Sequence, residues 1–341
     1  MTDNARENDY LWDGSGEPDA EIVRLEDLLA RYRHTGTPPA LPPRKTSPPR
    51  RFGGHAALQV LVTAASVTLV AAAAWFAHMV RPPGWNVQSL AGAPIVAGAP
   101  IDGAALLPVG KTMTTDASSR ARMDVGTIGV VDVEPNSRVR LIASRLGQQR
   151  MSLDHGQIRA LIWAPPGRFF VNTPSSTAID LGCVYTLKVD ERGWGQLLVE
   201  VGWVAFQDGG RESFIPKDAM CATRPGVGPG TPCYRDALPG VADALTILDF
   251  APTRDVRRAA ALDTVLAQSR PKDALTLWHL LSRGTAAERE RVYDRLASLV
   301  PPPPGVTREA VLRGDRRALD AWWNALGLDS AAWWRIWKRK W

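Results

Sequence analysis

The chain has 341 residues, 45% of them hydrophobic and 22% charged, and a formal net charge of +6 from 41 Lys and Arg against 35 Asp and Glu. That length leaves room for two domains of ordinary size beyond a short N-terminal region. A basic balance invites nucleic acid as a partner, but the distribution of charge along the chain argues against direct nucleic-acid binding.

Residues 1–30 carry nine acidic and two basic side chains, whereas residues 31–51 carry six basic and no acidic ones. A basic block of that kind suits anionic membrane lipid better than DNA. Within residues 1–34, Tyr10, Leu11 and Trp12 are three apolar residues in acidic surroundings. Residues 19–33 predict one amphipathic helix. Asp19 follows Pro18 in an N-cap position, and Ile22, Leu25, Leu28, Leu29 and Tyr32 share one face. So short a segment cannot bury a core of its own, so this face is expected to meet a partner, the membrane, or its counterpart in a dimer. Residues 35–55 follow as a linker, proline-rich over 35–51 and semi-extended.

Residues 56–80 (AALQVLVTAASVTLVAAAAWFAHMV) contain no formal charge. As a helix they would span about 37 Å, enough to cross a hydrocarbon core of about 30 Å. Arg44, Lys45, Arg50 and Arg51 precede the run and only Arg81 follows it closely. The positive-inside rule then puts the N-terminus in the cytoplasm and the bulk of the chain outside, a single pass through the inner membrane. Trp75 and Trp85 fit the outer interfacial belt.

After a linker over 81–100, the apolar period becomes two, and residues 101–239 predict an antiparallel all-β domain. Ala121, Met123 and Val125 alternate with Arg120, Arg122 and Asp124, and Val139 and Leu141 alternate with Arg138 and Arg140. Turn signals recur at Glu134–Ser137, Pro165–Gly167, Asp190–Gly193 and Asp208–Gly210. Cys221 and Cys233 are close enough in sequence to close a short loop by a disulfide. Cys183 reads as a free cysteine buried in a strand.

From residue 240 the period is helical, predicting an all-α domain of helical hairpins over 240–341. Gly284 is a helix stop, and Thr285 to Glu288 is a capping box for a helix running to Val300, ended by Pro301–Pro304. Asp315 caps a further helix with Leu319, Trp322, Trp323 and Leu326 on its apolar face. In the tail, Trp333, Trp337 and Trp341 are spaced by four with Trp334 beside them, which suits either a lipid boundary or the end of the helical core.

No pattern predicts catalysis or a cofactor. Residues 105–112 (ALLPVGKT) approach a P-loop but lack its first glycine, contain Pro108 and precede no helical pattern. Ser152, Asp154 and His155 are near neighbours in a strand-to-turn stretch rather than a triad, and no nucleophile elbow is present. His34, His55, His78, His155 and His279 show no metal-ligand spacing.

The β region also carries a series of motifs: EPNSRVRL at 134–141, LDHGQIRA at 153–160, RFFVNTP at 168–174, DLGCVYTL at 180–187 and VEVGWVAF at 199–206. Their order resembles the FecR domain, the extracytoplasmic signalling domain of membrane-bound sigma-factor regulators, over residues 110–218. The resemblance implies a transmembrane regulator whose cytoplasmic segment holds an extracytoplasmic-function sigma factor through Tyr10, Leu11, Trp12 and the Ile22–Tyr32 face. It also implies an envelope or outer-membrane partner that delivers the signal. The chain departs from that family in its short cytoplasmic segment, in the lack of a His-Cys-Cys zinc motif there, and in a Trp-rich helical region where a small receptor-docking domain is usual. The rival expectation is an envelope protein that binds glycan or protein without regulating anything. The expected architecture is α+β and multi-domain: one transmembrane helix, an antiparallel FecR-like domain, then a separate all-α domain.

Overall fold

The computed structural model describes residues 16–32, 83–145 and 147–328. Two compact units divide the chain, Met1–Phe76 and Ala77–Trp341. In the first, α1 (Ala20–Ala30) is the described element, and Asp19 caps it by accepting from the Glu21 amide at 3.0 Å.

The second unit opens with strands β1 (Gly84–Ala91), β2 (Ile95–Val96), β3 (Ala99–Pro100), β4 (Ala104–Pro108), β5 (Thr112–Thr114), β6 (Arg120–Asp124), β7 (Gly129–Val133), β8 (Arg138–Arg145) and β9 (Gln148–Ile162). It continues with β10 (Phe169–Asn172), β11 (Thr177–Asp180), β12 (Val184–Val189), β13 (Gly195–Val201), β14 (Trp203–Asp208), β15 (Arg211–Pro216), β16 (Ala219–Arg224), β17 (Gly228–Pro229) and β18 (Cys233–Tyr234). The pairings form two sheets. One runs β4-β1-β6-β7-β9-β12-β13-β16, with β17 and β18 both on β16. The other runs β3-β2-β5-β8-β9-β10-β11-β14-β15. Alternation sets the faces: in β6 the residues Ala121 and Met123 are fully buried between exposed Arg120, Arg122 and Asp124.

Strand β9 belongs to both sheets. His155 pairs with Arg138 in one, and Gly156 pairs with Val189 in the other. Gly156 has φ +101°, and a Cβ there would lie 2.2 Å from Ser137 Oγ, so the strand can turn this corner only at a glycine. The turn is required by chain length. Straight, the stretch from Gln149 to Ile162 would span about 43 Å, while the connection to Phe169, which pairs with Gln149, reaches at most about 25 Å. Bending brings the end of β9 back to its start, so β10 pairs with β9 in parallel.

The sheet structure is therefore mixed, not antiparallel throughout as the alternation predicts. Residues 84–100, read from sequence as linker, contribute three strands. Trp85, read as an interfacial anchor, is 1% exposed, donates from Nε1 to Gln149 Oε1 at 2.8 Å and packs against Phe169.

Helices α2 (Val241–Phe250), α3 (Arg257–Gln268), α4 (Ala274–Leu280), α5 (Ala286–Leu299), α6 (Arg308–Leu312) and α7 (Arg316–Ala325) complete the unit, with one 3-10 turn at Pro271–Asp273. The Thr285–Glu288 capping box forms with both reciprocal bonds, and Asp315 accepts from the Ala318 amide. These helices do not make a separate all-α domain. Trp323, 1% exposed, reaches into the sheet core, with ring centroids 6.1 Å from Trp203, 6.0 Å from Phe214 and 4.7 Å from Trp278. Its neighbour Trp322 serves the helical core instead, against Tyr293.

The membrane expectation is corrected as well. Among the described residues no helix is long and apolar enough to cross a membrane. The longest, α5, has 14 residues, a rise of about 21 Å, and it carries charge throughout. The single-pass inner-membrane placement thus finds no spanning helix there, and residues 56–80, on which it rested, lie outside the described residues.

Candidate functional site

Helix α1 buries none of its residues. Leu25, Leu28, Leu29 and Tyr32 are 57%, 50%, 61% and 75% exposed, Val23 is exposed too, and Ile22 is half-buried. The spacing of Leu25 to Leu29 and Leu28 to Tyr32 by one helical turn puts these side chains on one stripe. Arg31 closes the helix, donating from Nε to the Leu28 carbonyl and lying over the Tyr32 ring at 5.6 Å. Residues 16–32 carry five acidic and two basic side chains, so the apolar stripe sits in an acidic frame. An eleven-residue helix is marginal alone, and burying this stripe on a partner is what would stabilise it. Tyr10, Leu11 and Trp12, expected to join the same contact, lie outside the described residues, as do the tail tryptophans Trp333, Trp334, Trp337 and Trp341.

The residues of the enzyme-like patterns lie on strands and turns. Residues 104–114 are strand, turn and strand, with no helix after Lys111 to receive a phosphate. Ser152 donates to Asp154 Oδ1 at 3.1 Å and Arg138 pairs with the same carboxylate, all along adjacent strands. The Cys221–Cys233 disulfide is not formed, since both thiols are free and buried. Cys233 pairs with Met220, so Cys221, one residue on, points to the opposite face, and the two join different cores. Burial pushes the Cys221 thiol up to about 12 and Cys233 up to about 11, which keeps both unreactive.

Of three buried polar groups, Asp249 and His279 lie in no sequence motif, and Asp180 opens the 180–187 motif without being singled out there. Asp249, on α2, accepts from Arg211 at 2.8 Å and from the Thr231 amide and hydroxyl at 2.6 and 2.9 Å. Arg283 joins it, bonding Thr231 Oγ1, Ser213 Oγ and the Glu212 carbonyl, and so ties the helices to β15. His279 receives the Phe214 amide on Nε2 at 3.1 Å, and its Nδ1 lies 2.8 Å from the Leu275 carbonyl. That pairing requires the neutral ring with the proton on Nδ1. Burial, reinforced by the Arg283 charge, pushes its pKa down to about 3. Asp180, at the crossover between the sheets, accepts from the Gly182 amide and from the Cys183 thiol at 2.7 and 2.8 Å. Among the described residues no cation pairs with it, and burial pushes its pKa up to about 7. An acid on the apolar face of a predicted helix, Asp249 beside Leu245 and Leu248, was the one available hint.

No family model and no curated protein matches the chain. Solved structures similar to it include two named "putative anti-sigma factor from Parabacteroides distasonis ATCC 8503". The first is 13% identical with a TM-score of 0.32, over 39% of this chain and 63% of that one. The second is 12% identical with a TM-score of 0.29, over 53% and 74%. The present chain thus spans less than two thirds of the first structure's length.

Proposed function

We propose that this chain regulates a sigma factor, holding it through the apolar stripe of α1. The carrying observation is the stripe itself: a capped helix presenting Leu25, Leu28, Leu29 and Tyr32 with none of them buried. A helix laid in an apolar groove is the physical mode that satisfies such a face, and the acidic frame of residues 16–32 calls for basic residues along the groove's rim. The ordered motifs at 134–206 that resemble the FecR domain support the same reading. The chain acts by binding, not by catalysis.

The test uses the full chain and the sigma factor encoded nearest its gene. Burying one leucine contributes about 1.5–3 kcal/mol, so Leu25→Asp with Leu28→Asp should weaken binding by about a hundredfold or more. Calorimetric titration that finds the double variant binding as tightly as the parent would sink this interface.

A further inference from the structure

We propose that a cavity at one end of the β sandwich binds an apolar molecule carrying an oxyanion, a carboxylate or its equivalent. The cavity has a volume of about 520 Å³, within the range of small-molecule sites, and is built where three stretches converge, around residues 126–128, 144–145 with 147–149, and 164–168. Ile128, Ala164 and Pro165 supply apolar wall, and Arg145 and Arg168 supply charge. No aspartate or glutamate is among the lining residues.

The two arginines differ from four ion-paired arginines on the strands of this sandwich. Arg120, Arg122, Arg138 and Arg159 each face a carboxylate, respectively Glu134, Asp132, Asp154 and Glu200. Among the described residues Arg168 has the Gly147 carbonyl alone, at 3.3 Å, and Arg145 has no side-chain partner. Gly147 permits that approach, since a Cβ there would lie 2.3 Å from Arg168 Nη1. Two guanidiniums bordering an apolar cavity and lacking an acid are a binding arrangement for an oxyanion, which a planar fork can hold with paired hydrogen bonds.

The rest of the site is fixed in advance. Gln149 spends its side chain within the fold, accepting from Trp85 and donating to the Arg145 carbonyl, so it sets the wall rather than competing for ligand. Thr127, also in the wall, accepts the indole N–H of Trp163 at 3.2 Å. Trp163, just past the end of β9, is 61% exposed, and Leu161, two residues earlier, is also exposed. An exposed indole anchored to the cavity wall gives an apolar body somewhere to rest. Inorganic phosphate has no such body, so the chemistry selects an apolar carboxylate, sulfonate or organophosphate over the free ion.

Calorimetry on the full chain separates the possibilities, with 2-naphthoate as probe. Saturable binding at one site is expected, with 2-naphthalenemethanol, the neutral analogue, at least about tenfold weaker, since a charge-assisted pair is lost. Arg145→Gln with Arg168→Gln should weaken naphthoate by about tenfold or more without shifting the melting temperature, because both side chains are exposed. Ser144→Phe, which fills the cavity, should abolish binding. Equal binding of the neutral analogue, unchanged affinity in the double arginine variant, displacement by equimolar inorganic phosphate, or no saturable binding would each overturn the proposal. The measurement needs no sigma factor, so it stands or fails independently of the partner reading.

Discussion

Replacing His279 by phenylalanine should change how stability depends on pH, because His279 and Asp180 pull in opposite directions. The folded state holds Asp180 protonated up to about pH 7, against an ordinary value of 3.8, so between those values it binds one more proton than the unfolded chain. Stability from this group is full at low pH and is lost as pH rises toward 7. The folded state keeps His279 neutral down to about pH 3, against an ordinary 6.5, so there it binds one proton fewer. Stability from the histidine is full above 6.5 and is lost as pH falls. Each slope approaches about 1.4 kcal/mol per pH unit, and between roughly pH 4.5 and 6 they largely cancel. Removing one group exposes the other. Relative to the parent, His279→Phe should lose about 2 kcal/mol as pH rises from 4.5 to 6, and Asp180→Asn should gain about as much. His279→Phe should also carry a roughly constant cost of about 1–3 kcal/mol from the orphaned Phe214 amide. Phenylalanine keeps ring contacts with Trp278 and Trp323, whose centroids lie 5.1 and 5.9 Å from the imidazole, so the fold should survive. Urea unfolding followed by tryptophan fluorescence at four pH values reads both effects. A difference between His279→Phe and the parent that does not vary with pH would refute a ring held neutral by its surroundings.

Two further outcomes follow from the core and the corner. Asp249→Ala should destabilise by about 3–5 kcal/mol by leaving the buried Arg283 without its carboxylate, and adding Arg283→Met should recover part of that loss in the same urea titration. Gly156→Ala should cost at least about 2 kcal/mol, since φ is +101° and the new methyl meets Ser137; a melting temperature equal to the parent's would contradict the corner assignment.

The stripe on α1 was legible in the sequence because it depends on residues three and four apart and on one cap. The cavity between Arg145 and Arg168 was not, because its walls come from three stretches far apart in the chain. Nor was the state of each arginine legible: unbonded arginines and ion-paired ones are indistinguishable until strands are placed side by side.

What the sequence determined by itself is local. Asp19, Thr285 with Glu288, and Asp315 cap helices as their spacing predicts, and the alternation around Ala121 and Met123 buries the residues it should. A cap or an alternating face is decided within a few residues by hydrogen bonds and by the helical or strand period. Only the tertiary structure decided that Trp85 is core, that Cys221 and Cys233 face apart, and that β10 runs parallel to β9. It also decided that Trp322 and Trp323, adjacent on α7, serve two different cores. Those outcomes depend on which strand lies beside which and where β9 bends, and pairings over such separations are set by packing of the whole sandwich, not by any short run of residues.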